Sequence, residues 1–162
     1  MSHPDTQPTL DRLLRDPVLL VAFGFGSGLA PRAPGTCGSL AALALSPLLL
    51  WLPAPLAWGF LAIAVIAGIF ICGSAVSRLG VADHPGIVWD EFAGLWLALL
   101  LAPPGSLFWA GAFVLFRIFD IVKPWPIRWF DRHCRGGFGV MIDDLAAGLA
   151  AGAVLELLAV SR

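Results

Sequence analysis

Five apolar runs, separated by short segments that hold nearly all of the charge, constrain the fold of this chain more than any other feature. The runs cover residues 40–52, 56–76, 92–102, 106–122 and 145–160. Only 13% of the 162 residues are charged and 59% are hydrophobic, whereas soluble domains carry roughly 25% charge. Because a backbone in lipid must satisfy its hydrogen bonds internally, such runs form helices. The sequence therefore predicts an all-α integral membrane protein.

The N-terminal segment differs from these runs. Residues 1–9 are mostly polar and contain two prolines, so we expect a disordered or loosely held tail. Residues 10–23 predict a short amphipathic helix, broken near Pro17, that lies at the membrane interface. No internal repeat divides the chain. We therefore expect residues 1–162 to form a single membrane-embedded domain. Its fold would be a helical bundle of about four to five short transmembrane helices plus the interfacial helix.

Composition excludes several classes of protein. The net charge is −1, so no global basic field attracts nucleic acid. The three cysteines, Cys37, Cys72 and Cys134, are widely spaced and form no CxxC motif, which indicates neither a disulfide framework nor a zinc site. The first sixteen residues lack the apolar core of a cleavable signal peptide. Membrane insertion is therefore expected to depend on the internal runs.

The order of the runs predicts which loops share one side of the membrane. If the first four runs cross as two hairpins, three loops return to the same side, namely residues 24–39, 77–91 and 123–144. Nine of the ten basic residues then lie on that side and only Arg162 lies opposite, so the positive-inside rule makes the shared side cytoplasmic. Seven acidic residues meet at this face, namely Asp83, Asp90, Glu91, Asp120, Asp131, Asp143 and Asp144.

This acidic group predicts a bound cation, because the carboxylates would otherwise repel one another. Oxygen ligands without a matching set of His or Cys favour hard cations, chiefly Mg²⁺, which commonly bridges to phosphate. Arg117 and Lys123 could hold the phosphate oxygens. The alternative for Arg117 is a structural ion pair with Asp120, three residues later, that closes a helix end. A metal would activate water, while carboxylates could take a proton or attack directly. Magnesium-dependent phosphate-ester chemistry is the favoured class.

Residues 24–39 are rich in Gly and hydroxyl groups and could form part of the same site. Glycine allows backbone N–H groups to approach a ligand, and a loop that opens onto a helix N-terminus suits phosphate. Gly35, Thr36 and Ser39 are the candidates for substrate binding. The alternative is a connecting or re-entrant Pro-Gly loop without a ligand.

Four segments bear a family resemblance: APRAPGTCGSL, IVWDEFAG, FRIFDIVKPWPI and GGFGVMIDDLAAG. Together they resemble the phosphatidylglycerophosphatase A family, over nearly all of residues 24–152. The resemblance implies a multi-pass enzyme of the bacterial inner membrane that uses Mg²⁺ to remove the terminal phosphate from phosphatidylglycerophosphate. Cys37 stands where we expect a bulkier residue in many relatives. The residues that match the family motifs are Gly35, Thr36, Ser39, Asp90, Glu91, Arg117, Asp120, Lys123, Pro126, Gly137, Asp143 and Asp144.

Charge and placement suggest a role for each of these side chains. The predicted Mg²⁺ ligands are Asp90, Glu91, Asp143 and Asp144. Asp120 is a further ligand or the base. The proposed phosphate contacts are Arg117 and Lys123, with hydrogen bonds from Thr36 and Ser39. The flanking residues are expected to be solvated carboxylates (Asp83, Asp131), surface histidines (His84, His133) and an interfacial aromatic belt (Trp89, Trp125, Trp129).

Two other functions are compatible with parts of the sequence. Cys72 and Arg78 have the Cys-x5-Arg spacing of thiol phosphatases, but the apolar run before Cys72 disfavours a reactive thiolate. A non-catalytic membrane scaffold or a transporter subunit could carry the same charges as structural ion pairs. Transporters place polar residues near the bilayer midplane, whereas here most of the charges lie at the ends of the runs.

Overall fold

The computed structural model describes residues 7–81 and 84–161, and all of its regular structure within these ranges is helical. The all-α prediction is therefore confirmed. The helices are α1 (Leu10–Arg15), α2 (Pro17–Ala22), a 3₁₀ segment (Gly24–Leu29), α3 (Pro34–Leu50), α4 (Ala54–Leu79), α5 (Trp89–Leu101), α6 (Ser106–Val122), α7 (Ile127–His133) and α8 (Gly136–Val160). The first six residues of the predicted tail, Asp83 and Arg162 lie outside the described residues.

The N-terminal segment forms two short helices that meet at Asp16, next to the predicted break. Asp16 caps α2 by accepting hydrogen bonds from the amides of Val18 at 3.1 Å and Leu19 at 3.3 Å, and Pro17 takes the first helical position. Its carboxylate also pairs with Arg78 of α4. Burial alone would raise the pKa of Asp16, but these bonds lower it below its ordinary value. The pair holds the N-terminal segment on the bundle, and its position at a membrane interface stays a prediction.

Two helices begin earlier than the apolar runs indicated. α3 starts at Pro34, so Gly35, Thr36 and Ser39 lie on its first turns and not in a loop. α8 starts at Gly136, nine residues before the predicted run, and Asp144 lies inside it. The loop prediction was wrong because proline is favourable at a first helical position and glycine does not by itself prevent a helix. With 17 residues, α3 is about 25 Å long.

In the part of the chain that the structure describes, two helices, α4 and α8, are long and apolar enough to cross a membrane, and α3 is a shorter apolar helix. α4 presents large apolar side chains outward, with Ile63 69% and Phe70 71% exposed. A water-facing helix would normally carry polar residues there, so this surface is suited to lipid contact. The number of transmembrane helices stays a prediction.

The arrangement of the acidic residues depends on the crossing of α5 and α8. Helix α5 is buried on most of its surface and packs against α3, α4, α6 and α8. Gly94 and Gly148 let the backbones of α5 and α8 touch, because a Cβ on Gly148 would lie 2.1 Å from the Gly94 carbonyl oxygen. Leu101 similarly lies against Gly152, so the two helices run in the same direction. The acidic ends of both helices are therefore at one end of the bundle.

Replacing Gly148 with alanine should lower the free energy of unfolding by about 3 kcal/mol, because the added methyl group meets backbone and cannot be accommodated by a side-chain rotation. Thermal unfolding in detergent measures the effect. Gly59→Ala is the matched control, since a Cβ at Gly59 in α4 meets nothing within 4 Å and alanine is the better helix former. Equal unfolding temperatures for the two variants would contradict the close α5–α8 contact.

Candidate active site

A cavity of about 410 Å³ lies at the end of the bundle where α5 and α8 begin. Its walls come from the first turn of α5, the end of α6, the α6–α7 connection, α7, the α7–α8 connection and the first turns of α8. Among the lining residues within 7–81 and 84–161, two are cationic, Lys123 and Arg135. Six of them are acidic, namely Asp90, Glu91, Asp120, Asp131, Asp143 and Asp144. The excess of carboxylates makes the cavity a favourable place for a cation.

Asp144 is the most buried of these carboxylates, with 3% of its surface exposed. Its Oδ2 atom is buried and accepts no hydrogen bond within the described part of the chain. Asp90, Glu91, Asp120 and Asp143 are all close enough to act on its charge. Buried polar atoms are nearly always paired, and an unpaired one costs about 1–3 kcal/mol. This oxygen is therefore available to a partner from outside the described part of the chain.

A second group of residues fixes Glu91 at the back of the cavity. Its Oε2 atom accepts a hydrogen bond from the Ser39 hydroxyl at 2.6 Å and pairs with Arg117. Arg117 also pairs with Asp120 at 2.9 Å. Gly35 allows this arrangement, because a Cβ there would lie 2.2 Å from Glu91 Oε1. Three helices, α3, α5 and α6, are thus joined through one carboxylate.

Lys123 also lines the cavity and bridges two acidic residues. Its ammonium group contacts Asp143 at 2.6 Å and Asp131 at 2.5 Å. Burial alone would lower the pKa of Lys123, but these two hydrogen bonds raise it above its ordinary value. The residue ends α6 with a left-handed backbone, at φ 47°, a conformation that costs a non-glycine residue about 1 kcal/mol or more. Lys123 is therefore held as a cation facing the acidic group.

The donor chemistry of the cavity suits Mg²⁺, since its walls offer carboxylate oxygens. Within residues 7–81 and 84–161, however, no three His, Cys, Asp or Glu side chains are already placed as a ligand set. Glu91 and Asp143 are paired with Arg117 and Lys123 instead. The carboxylate oxygens of the cavity suit Mg²⁺ chemically, and the unpaired Asp144 oxygen is one that could bind the ion without breaking an ion pair.

Comparison with known proteins agrees with the chemistry of this cavity. The family model described as phosphatidylglycerophosphatase A matches residues 20–159. The chain belongs to the phosphatidylglycerophosphatase A family. It is 46% identical over 143 residues to phosphatidylglycerophosphatase A of Escherichia coli, which covers 88% of this chain and 83% of that protein. The Haemophilus influenzae protein of the same name is 46% identical over 140 residues, covering 85% and 86%.

A third relative has a different printed name. It is the "Putative phosphatidylinositol-3-phosphatase" of Bacteroides thetaiotaomicron, 42% identical over 139 residues, covering 81% of this chain and 86% of that protein. No solved structure matches this chain. Membership of the phosphatidylglycerophosphatase A family makes the chain a phosphatase.

In this member of the phosphatidylglycerophosphatase A family, nine of the twelve residues that match the family motifs fall into two groups. Those that line the cavity are Asp90, Glu91, Asp120, Lys123, Asp143 and Asp144. Gly35, Ser39 and Arg117 instead surround Glu91. Thr36 is half-buried on the first turn of α3, and Pro126 precedes α7. Gly137 packs against the Ile69 carbonyl of α4, where a Cβ would lie only 1.8 Å away.

Several flanking residues differ from their predicted surroundings. His84 is buried, not a surface residue, and its Nδ1 accepts a hydrogen bond from the Gly86 amide at 3.0 Å. Trp89 is also buried and donates from Nε1 to the Ala64 carbonyl oxygen at 3.1 Å, so it does not belong to an exposed belt. Trp89 is the first residue of α5 and His84 lies five residues before it, whereas the predicted apolar run begins at Phe92. Trp125 and Trp129 are exposed, as an aromatic belt requires, and His133 stacks on Trp129.

Arg135 is a charged cavity residue to which the sequence analysis assigned no role. It occupies the N-cap position of α8, directly before Gly136, without a capping hydrogen bond from its side chain. It lines the cavity together with Gly136 and Gly139. A Gly-Gly pair after a charged segment indicates a turn and not a helix start, so the sequence offered no signal for this position.

Proposed function

We propose that this enzyme hydrolyses the terminal phosphate monoester of phosphatidylglycerophosphate, giving phosphatidylglycerol and inorganic phosphate, with Mg²⁺ as cofactor. The observation that carries the proposal is the meeting of carboxylates from α5, α6 and α8 around the unpaired Asp144 oxygen. The names of the Escherichia coli and Haemophilus influenzae relatives supply the substrate.

The proposed Mg²⁺ ligands are Asp143 and Asp144 of α8, with Asp90 and Glu91 of α5. When bound, the ion would neutralise these carboxylates, polarise the phosphorus centre and activate water. Mg²⁺ ordinarily keeps several waters and takes only one or two protein carboxylates, so not every acidic residue of the cavity has to contact it.

The remaining polar side chains act on the substrate or on the ligands. Lys123 is the proposed phosphate contact, because its ammonium group faces the cavity beside Asp143. Asp120 borders the same space and is the proposed proton acceptor. The position of Arg117 and Ser39 favours a different role from the predicted phosphate clamp, since both hold Glu91 in place. Gly35 serves the same purpose by leaving room for that carboxylate.

The proposed location is the cytoplasmic face of the bacterial inner membrane. Two observations support it: α5 and α8 are parallel, so their acidic N-terminal ends share one end of the bundle, and nine of the ten basic residues fall in or beside segments assigned to that side. A lipid whose head group reaches this end could present its phosphate while its acyl chains stay in the bilayer.

Purified protein should release phosphate from short-chain phosphatidylglycerophosphate with Mg²⁺ and release almost none with excess EDTA. Cys72→Ser should leave the rate within about twofold, because Cys72 has no exposed surface and its Sγ contacts Met141, while Arg78 is paired with Asp16. Free phosphate is measured in all four combinations. Release that persists in EDTA and disappears in the Cys72→Ser variant would replace the metal-dependent proposal with thiol chemistry.

A further inference from the structure

Arg135 is a cation at the cavity for which the proposed reaction has so far no role. Lys123 and Arg117 are each bound to two carboxylates. Arg135 takes part in none of the ion pairs or side-chain hydrogen bonds of the described ranges, although acidic residues line the same cavity. Its guanidinium is therefore available to a ligand.

The cavity has two chemically distinct ends. The carboxylates of Glu91, Asp143 and Asp144 are buried, whereas Arg135 and Gly136 are exposed and form the mouth. The unpaired Asp144 oxygen marks the buried end as the place of the cation and of the phosphate it would bind. A group held by Arg135 therefore lies farther out and belongs to the part of the ligand that extends back to the membrane.

Phosphatidylglycerophosphate carries one suitable anion at each end of its glycerol head group. The terminal monoester is the group that is cleaved, and the phosphodiester stays on the lipid. Phosphatidic acid, in contrast, has the monoester alone. A planar guanidinium can form two parallel hydrogen bonds with phosphate oxygens, so a single Arg at the mouth is enough to distinguish the two lipids.

We propose that Arg135 binds the phosphodiester of the lipid while the terminal monoester lies among the buried carboxylates, and that this contact selects head groups that carry a second phosphate. The inference rests on the proposed function. It assigns Arg135 to substrate selection and predicts that its loss affects the apparent affinity for the two-phosphate lipid more than the maximal rate.

The test compares short-chain phosphatidylglycerophosphate with short-chain phosphatidic acid as substrates of the wild type and of Arg135→Gln. On the first lipid, kcat/KM should fall about 10-fold to 100-fold, the loss expected for a charge-assisted hydrogen bond, with kcat within about threefold. On phosphatidic acid, kcat/KM should stay within about threefold of the wild type. Arg135→Lys should recover part of the loss, since lysine keeps the charge without the two-point geometry.

Arg132→Gln is the matched control, because Arg132 is an exposed residue of α7 that does not line the cavity. It should behave as the wild type on both lipids. Calorimetric binding of short-chain phosphatidylglycerophosphate in EDTA gives a second readout, in which Arg135→Gln should raise Kd about 10-fold or more. Unfolding temperatures establish that the variants are folded.

Two results would overturn the selection role. One is an equal loss of kcat/KM on both lipids in Arg135→Gln. The other is a kcat/KM of Arg135→Gln on phosphatidylglycerophosphate that equals the kcat/KM of Arg132→Gln. If the wild type released phosphate from neither lipid, the proposed function itself would fail, and the role of Arg135 with it. The first two outcomes leave wild-type hydrolysis intact, so the failures are distinguishable.

Discussion

Asp144→Asn is expected to lower phosphate release by about 100-fold or more and, at the same time, to leave the protein as stable as before or more stable. The rate falls because the neutral amide oxygen is a much weaker Mg²⁺ ligand than a carboxylate, and a loss of about 3 kcal/mol in barrier lowering corresponds to about 100-fold. Stability does not fall because the carboxylate oxygen has no partner, and a buried charge without one is unfavourable. The measurements are initial rates with Mg²⁺ and thermal unfolding in EDTA.

Glu156→Gln serves as the control for this variant. Glu156 is on the same helix, α8, but it is exposed and distant from the cavity. Its replacement should change neither the rate nor the unfolding temperature by much. If Asp144→Asn kept the full rate, the assignment of Asp144 to the metal site would be wrong. A large loss of stability would instead indicate that Asp144 is a structural carboxylate.

Arg117→Met is expected to lower the free energy of unfolding by about 3–5 kcal/mol, the cost of leaving buried charges without their partner. The side chains of Arg117, Glu91 and Asp120 are only 10–14% exposed. Adding Glu91→Gln to Arg117→Met should restore part of this stability, because it removes one of the stranded charges. The double variant should be inactive, because Glu91 is a proposed Mg²⁺ ligand. Thermal unfolding and phosphate release measure the two effects separately.

Arg15→Met provides the comparison with an exposed ion pair. Arg15 pairs with Asp11 at 3.1 Å, but their side chains are 79% and 70% exposed, and such pairs contribute little. The unfolding temperature of Arg15→Met should therefore differ little from that of the wild type. A similar small effect for Arg117→Met, or a Glu91→Gln addition that lowers stability further, would show that the buried cluster does not stabilise the bundle as an ion pair network.

The sequence predicted the gathering of acidic residues for a physical reason. Hydropathy defines the apolar runs, and their parity places the loops, so Asp90, Asp120 and Asp144 were assigned to one face without knowledge of any contact. The structure brings these residues to one cavity. The abundance of carboxylate oxygens at this face, in a chain with little other charge, likewise indicated magnesium-dependent phosphate-ester chemistry.

The internal arrangement of the site could not be predicted in this way. Periodicity does not show that Ser39 and Arg117, 78 positions apart, share one carboxylate, because such contacts depend on the packing of three helices. The early starts of α3 and α8 were hidden by Pro and Gly. Arg135 received no role, because only the three-dimensional structure shows whether a guanidinium is paired with a carboxylate. The Gly94–Gly148 contact likewise depends on the crossing of two helices.

Binding of a divalent cation to the purified protein tests the central claim most directly. Mn²⁺ can be titrated into the protein in detergent and followed by electron paramagnetic resonance, with Mg²⁺ as competitor. We expect saturable Mn²⁺ binding that Mg²⁺ displaces, that Glu156→Gln retains and that Asp144→Asn weakens at least about 10-fold, as loss of a charged ligand implies. No saturable binding by the wild type, or equal binding by Asp144→Asn, would contradict a metal centre formed by the acidic ends of α5 and α8.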